Sequence, residues 1–488
     1  MRGVRGFSWV LALLLVLAPF PISAPPLEAD VVVWGGTPEG VTAAIAAARE
    51  GAHVILAVDG EHLGGVLVES ELNTLDQSVD ATGRMLNEGL FAEWFKQVEG
   101  DSFNPVTAER AFRKLIAAEI EAGLQRQQMA RLGDTAPARP FSNQARAAGG
   151  SLQVLYDVDL GEPVVKEGLL VAVPIRRGLW GARLLARRWI DASEDADLAA
   201  AAGVPFTVGW ESLGAGRTGQ AAGLVFRLSG VDWRTARAHA LADENPATGA
   251  TTHSIWGYPE AAQYKPINQN LRLRALNVGL VDGDQVLING LLVFGVDPLE
   301  RSSRMRGMLA AQAELPRIVS FLREVCPGFE SATLAGTADS LYIRESRHLA
   351  NPLYQLTLDD VNQNRAQPDL VAWGSYPVDV QPRFPGEPVR ILGTPTGFAI
   401  PLRALLPASM PNLAVASRSA GYTPEAHGSA RTVPVGMAAA QGAGVAAAIS
   451  LRAGVSFHAI AQDPSLVAEL HRRLGAQGVR LHSPRGRM

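Results

Sequence analysis

The sequence predicts an α/β protein: a doubly wound parallel sheet assembled from discontinuous stretches of chain, with a mixed α/β domain inserted between them. Three observations predict it. "DVVVWGGTPEG", Asp30 to Gly40, places an apolar run directly before a glycine-rich turn. "HVILAV", His53 to Val58, repeats the apolar run after an alanine-rich stretch. "NLAVASRSAGY", Asn412 to Tyr422, returns to the same composition near the far end of the chain. At roughly 100–200 residues per domain, 488 residues predict two or three domains.

In chain order, "MRGVRGFSWVLALLLVLAPFPISA" gives two arginines, an apolar run from Phe7 to Phe20, and the small residues Ser23 and Ala24. That order is a secretory signal peptide with cleavage after Ala24. The run is short for a membrane span of about 20 residues. Arg2 and Arg5 are not adjacent, so a twin-arginine route is not indicated. The protein is expected in the periplasm or secreted, with no stable membrane span after cleavage. Loss of residues 1–24 leaves 42 basic against 48 acidic residues, a balance that points away from nucleic acid as a partner.

"DVVVW" reads as a buried strand, because apolar residues follow one another without polar alternation. "GVTAAIAAAREG" reads as a helix ending at Gly51, and "HVILAV" as the next buried strand. A helical region from Met85 to Leu124, a polar segment near Gly133–Gly150, and the strand-like runs "LQVLYDV", "PVVKEGLLVAV" and "LLARRWIDAS" follow. The middle segment, Thr218 to Val380, holds "GLVFRLSGV", "LRLRALNVG" and "QVLINGLLVF", the last two flanking a "VDGD" turn, then a helix from about Leu299 to Val325. "VPVGMAAAQGAGVAAAIS" could pass for a membrane span, but its small residues and lack of leucine suit a helix packed tightly in a protein interior. "LVAELHRRLGAQGV" reads as an amphipathic terminal helix. The division is 1–24 signal peptide, 25–215 first part of the nucleotide domain, 216–389 substrate or cap domain, 390–460 closing part and 461–488 tail. Cys326, the single cysteine, reads as a buried structural thiol, and no His/Cys cluster has zinc spacing.

In a dinucleotide turn the first glycine makes the bend, the second lets the backbone approach the pyrophosphate, and the third lets helix and strand pack closely. Here Gly35 and Gly40 hold the first and third places, Thr37 the second, with Gly36 beside it.

"GGTPEGVTAAIAAAREGAHVILAVDGEHLGG" resembles the opening of a family of FAD-dependent oxidoreductases related to the glutathione-reductase-like and fumarate-reductase-like flavoproteins, in which the Thr-Pro form of the turn is usual. "RRWIDASEDADLAAAAGVPFTVGWES" resembles that family's second flavin fingerprint, "LYIRESRHL" with "LTLDDV" a family signature, and the stretch from Ile400 to Ile449 its closing flavin segment. The resemblance implies a Rossmann-like FAD-binding domain built from discontinuous segments, an inserted substrate domain, and FAD as cofactor. It implies cofactor contacts at Gly35, Gly36, Thr37, Pro38 and Gly40. Further contacts are His62, Gly64 and Gly65 of "EHLGG", then Asp191, Ala192 and Ser193, then Arg418, Arg431 and Gly442. The sequence departs from the family at Val58, where an acid would hold the ribose; Asp59 follows one residue late and is expected either to reach the ribose as a cofactor contact, if the strand ends early or bulges, or to be a solvated turn acid before Gly60. It departs again at Glu194 and Ser417, where glycine is usual.

For chemistry, "LYIRESRHL" concentrates Arg344, Glu345, Arg347 and His348, read either as a salt-bridged loop or as groups that bind substrate and move a proton. The expected catalytic residues are His427 as general base, with Arg344 and His348. A structural histidine is the alternative for His427. Trp256, Tyr258 and Tyr264 read as core aromatics or as a stacking surface for a ring-shaped substrate. The expected activity is hydride transfer from a CH–OH or CH–NH group of a small-molecule substrate to flavin, with an unidentified electron acceptor completing the cycle. A redox-neutral flavin-dependent lyase or hydrolase acting on carbohydrate, and a non-catalytic binding protein that keeps the fold, stand as alternative readings.

Overall fold

Val31, Val32, Val33 and Trp34 are all buried because the strand that carries them, β1 (Leu27–Trp34), is covered on both faces. Side chains alternate across a strand, so Val31 and Val33 enter one core while Val32 and Trp34 enter another. The structure, a computed structural model, describes residues 22–98, 100–133, 149–482 and 484. The predicted signal peptide therefore lies, as far as residue 21, outside the described residues, as does most of the polar segment near Gly133–Gly150.

β1 pairs in parallel with β2 (His53–Ala57), which pairs in parallel with β3 (Ser151–Leu155). The helix between β1 and β2 is α1 (Pro38–Arg49). On its other side β1 pairs in parallel with the long strand β5 (Trp180–Asp191). β4 (Leu169–Arg177) flanks the first half of β5 antiparallel. Much later in the chain, β14 (Leu413–Val415) flanks its second half in parallel. Ile22 and Ser23 also pair with Trp180 and Gly181, so the cleavage expected after Ala24 would remove a short edge strand.

The second sheet is six-stranded. Its centre is the hairpin β8 (Leu271–Asp282) and β9 (Gln285–Val293) around the predicted turn, with β7 (Ala222–Ser229) and β10 (Thr333–Thr337) beyond it. α3 (Arg301–Val325) covers one face, and Cys326 is buried behind it. Tyr258 and Tyr264 belong to this core, whereas Trp256 is 40% exposed. The core runs from Ala222 to Ile343. Val361, Val371, Val378 and Val380 pack instead in the first core, so the boundary expected at 389 falls earlier, near residue 343.

What closes the first domain is α5 (Val433–Ala453). It is long and apolar enough to cross a membrane by length and composition, yet 94% of its apolar window is buried. Its small residues let it lie directly on α1: a Cβ on Gly444 would sit 2.3 Å from the Ala43 carbonyl oxygen. α6 (Pro464–Ala476) then packs on α5, with Leu470 and Leu474 in the same core. Polar ties join the two bodies: Arg227 to Glu71 at 2.5 Å, Asn104 to Asp282 at 2.7 Å and Ser102 to Ser254 at 2.6 Å.

Candidate active site and cofactor cleft

At the end of β1 the chain turns through Gly35, whose φ of +115° is open only to glycine at low cost. A Cβ there would meet the Ser193 nitrogen at 2.7 Å, one on Gly36 would meet Val58 Cγ1 at 2.5 Å, and one on Gly40 would lie 1.9 Å from the Gly35 oxygen. Thr37 does two jobs that glycine could not. Its hydroxyl caps α1 by accepting the Gly40 N–H at 3.0 Å, and donates to the Ala192 carbonyl at 2.8 Å. Pro38 takes the first helical position, where a missing N–H costs nothing.

This turn opens on a cleft of about 420 Å³. Gly35, Gly36, Thr37, Asp59, His62, Gly65, Ser193 and Arg418, all expected from the sequence, line it. Val58 points under the turn and packs on Gly36, while Asp59 stands at the solvent edge of the cleft. Desolvation, then the carboxylates of Asp197 and Asp195, hold the Asp59 carboxyl above its ordinary value. The Gly64–Gly65 loop is tied to the turn by the Gly64 N–H donating to the Gly36 carbonyl at 2.7 Å. His62 meets Glu109 at 3.1 Å across the outer rim.

Several expected contacts have other work. Asp191 is fully buried and accepts from Ser193 and Ala199, bracing its own loop, and burial lifts its carboxyl to about 7. Ala192 contributes its carbonyl to Thr37. Gly442 lies against β12 (Leu370–Gly374), where a Cβ would meet that of Val371 at 2.5 Å. Its bareness serves helix packing rather than the cofactor. Arg418 is held by Glu194 and Asp195, each at 2.7 Å. Burial, which would lower this guanidinium, is outweighed by those two carboxylates, so its charge is secure. Glu194 also accepts the Val66 N–H at 2.9 Å. The acid in the family's glycine place thus buttresses the Gly64–Gly65 loop from behind.

The sequence reading missed the far wall. Arg301, Arg304, Met305 and Met308, from the start of α3, and Asp339 to Leu341 reach the cleft from the second domain. The basic run "ERSSRMR" at a helix start was the available signal. Glu69 was also missed. Desolvation first, and then Glu194 and Asp59, raise its carboxyl to about 7.

A narrow chamber of about 40 Å³ lies deeper, sharing Glu194, Ile343 and Arg418 with the cleft. Glu39, Asp76, Tyr342, Arg344, Ser417 and Arg431 also line it. Arg431 donates to the Tyr342 hydroxyl at 2.7 Å, and the Arg344 guanidinium stacks on the same ring at 4.5 Å while donating to the Ala221 carbonyl at 2.7 Å. Burial lowers Arg344 to about 10. Burial raises the Asp76 carboxyl above its ordinary value against the opposing pull of Arg431. Glu39, in the first turn of α1, is lifted to about 7, chiefly by burial.

The structure does not bring His427 to this chamber. Its ring is fully buried in α4 (Pro424–Ala430), neither nitrogen has a hydrogen-bond partner, and burial, then His348 and the arginines, press its pKa well below the ordinary value. A general base must reach the proton it takes, and His427 lines none of the cavities described. His348 packs edge-on to it, with ring centroids 4.9 Å apart.

The fold and cleft define a dinucleotide-binding flavoprotein. Residues 30–474 match the family described as FAD dependent oxidoreductase, and the chain belongs to that family. Three glycine positions that a Cβ would fill, beside a helix N-terminus, fit the pyrophosphate of FAD. Comparison with curated proteins gives no match. Among solved structures, a geranylgeranyl bacteriochlorophyll reductase-like protein from Thermoplasma acidophilum is 11% identical, covering 95% of this chain and 90% of its own with a TM-score of 0.43. A p-nitrophenol 4-monooxygenase from Pseudomonas putida is 10% identical, covering 95% and 91% with a TM-score of 0.40. The myxobacterial chondrochloren halogenase is 12% identical, covering 66% and 65% with a TM-score of 0.33.

Proposed function

We propose that this FAD-dependent oxidoreductase is exported to the periplasm or secreted, and that it oxidises a CH–OH or CH–NH group of a small polar molecule. The observation that carries the reading is the inner chamber behind the cofactor cleft, where the guanidinium groups of Arg344, Arg418 and Arg431 and the Tyr342 side chain share one lining with the carboxyls of Glu39, Asp76 and Glu194. FAD, when bound, supplies the hydride acceptor. Arg344 and Arg431 hold the polar end of the substrate, and Tyr342, oriented by Arg431, fixes its direction. Asp76, whose carboxyl burial raises above its ordinary value, takes the proton from the donor's O–H or N–H. Walls from both domains keep water from the reacting group. A separate electron acceptor completes the cycle.

The test is an absorption spectrum of residues 25–488 after desalting, followed by anaerobic addition of alcohols and amines. Retained flavin that bleaches with one substrate class supports the reading; a protein that retains no flavin after incubation with FAD overturns it. With a bleaching substrate in hand, Asp76→Asn should slow bleaching about 100-fold or more while flavin is retained. N-terminal sequencing of the exported protein should begin at Pro25.

A further inference from the structure

The pyrophosphate of FAD brings negative charge into a cleft that is already acidic. Asp59, Glu69, Glu194, Asp195, Asp197 and Asp339 line it, against the guanidinium groups of Arg301, Arg304 and Arg418. How each positive charge is engaged therefore bears on how the cofactor is held. Arg418 is taken by Glu194 and Asp195, each at 2.7 Å. Asp197 is matched from outside the cleft by Arg347, at 2.8 Å, on the ribbon formed by β6 (Phe206–Val208) and β11 (Arg347–Leu349). Arg301 and Arg304 remain, and both come from the second domain, on α3.

Arg301, Arg304, Met305 and Met308 occupy places i, i+3, i+4 and i+7 of that helix, so the cleft meets one face of it. Arg301 is exposed and makes no hydrogen bond or ion pair among the described residues. Arg304 is 41% exposed and loosely held. Its Nη1 donates to the Pro298 carbonyl at 3.1 Å and stands 3.7 Å from Oδ2 of Asp195, while Nε and Nη2 have no partner among the described residues. Asp195 does not depend on this tie, because its Oδ1 already accepts from Arg418 at 2.7 Å and from Ser346 at 2.6 Å. The same tie locates Arg304. Asp195 stands two residues after Ser193, whose nitrogen a Cβ on Gly35 would meet at 2.7 Å. Arg304 therefore faces, from the far wall, the loop that backs the glycine turn.

We propose that Arg304, with Arg301 one turn before it, is a cofactor clasp: its guanidinium exchanges the long contact with Asp195 for the pyrophosphate of FAD, so that the second domain holds a cofactor whose cradle belongs to the first. Arginine suits the place, because its planar fork offers parallel N–H donors to phosphate oxygens and keeps its charge at any working pH. The inference rests on the cofactor of the family and not on the substrate proposed above.

The experiment is fluorescence titration of the flavin-free full chain with FAD, in about 50 mM and about 500 mM NaCl. The proteins compared are the unaltered chain, Arg301→Gln, Arg304→Gln, the double variant and Arg306→Gln. Arg306 is exposed on the same helix and does not line the cleft, so its replacement reports the general effect of losing one positive charge. In low salt, Arg304→Gln should weaken FAD binding about tenfold and the double variant about thirtyfold or more, while Arg306→Gln stays within about twofold. High salt should narrow the gap between the double variant and the unaltered chain, because screening weakens the exposed contacts that only the latter makes. Thermal midpoints of the flavin-free variants should match that of the unaltered chain, which a merely structural role would not allow. Arg301 has no partner to strand, so Arg301→Gln, expected to weaken FAD about threefold or more, keeps the test valid if replacement of Arg304 disturbs folding. FAD binding by the double variant within about threefold of the unaltered chain, an equal loss in Arg306→Gln, or a loss that salt does not narrow would each overturn the clasp and leave the redox reading standing. An unaltered chain that takes up no FAD would overturn both.

Discussion

Gly40 has no room for a side chain, since a Cβ would lie 1.9 Å from a backbone oxygen that cannot move without breaking the turn. Gly40→Ala should therefore leave the desalted protein without flavin colour, a loss of at least tenfold in FAD affinity, about 1.4 kcal/mol. Glu194 calls for the opposite sign. Its carboxylate stands at the junction of cleft and chamber and holds Arg418, which would otherwise face an anionic cofactor. Glu194→Gln keeps an acceptor for the Val66 N–H and removes one negative charge. FAD should bind about three- to tenfold more tightly, measured by flavin fluorescence titration. The glycines and Thr37 were legible in the sequence because their spacing is dictated by backbone geometry. The reassignment of Asp191, Gly442 and His427 was not, because each depends on what the fold presses against it: Ala199, Val371 and His348 are distant or unremarkable in the sequence. Asp76 was missed for the same reason: nothing in its neighbours announces that it lines a buried chamber.

At the scale of elements, the first turn of α1 carries a conflict that pH should expose. Glu39 has a carboxyl raised from an ordinary 4.5 to about 7 by burial, then by Glu194 and against Arg418. A raised acid binds a proton more readily when folded, so the folded state suffers no penalty from it below pH 4.5 and the full penalty above pH 7. Flavin-free protein should lose stability as pH rises from 5 to 8, by on the order of 1 kcal/mol after allowance for partial exposure, and Glu39→Gln should flatten that slope in thermal melts. FAD affinity should fall over the same window, because the ionised carboxylate competes with phosphate for the positive end of the helix. The contact between α1 and α5 makes a second prediction. Gly444→Val would force a branched side chain against the Ala43 carbonyl and cost about 1–3 kcal/mol, read as a lower midpoint in urea. Both helices were readable from their runs of alanine and glycine. Their mutual contact was not, since periodicity names a buried face without naming its partner.

For the whole molecule, two domains, each packed on hydrophobic clusters of its own, are joined by polar ties and by a cleft whose walls come from both. Calorimetry of the flavin-free chain should show two transitions. Saturating FAD, bound across those walls, should raise them and draw them into one. The last feature to consider is the closing of the first domain by its own distant end. Arg452 donates to the Glu50 carbonyl across 402 residues of sequence, and β14 completes the flank of β5 only after the whole second domain has been made. At 5–20 residues per second, a ribosome needs roughly 20–80 s to cover that interval. Throughout it the alanine face of α1 has no α5 to cover it, so a chain truncated before Val433 should expose that face and be recovered as insoluble protein on expression.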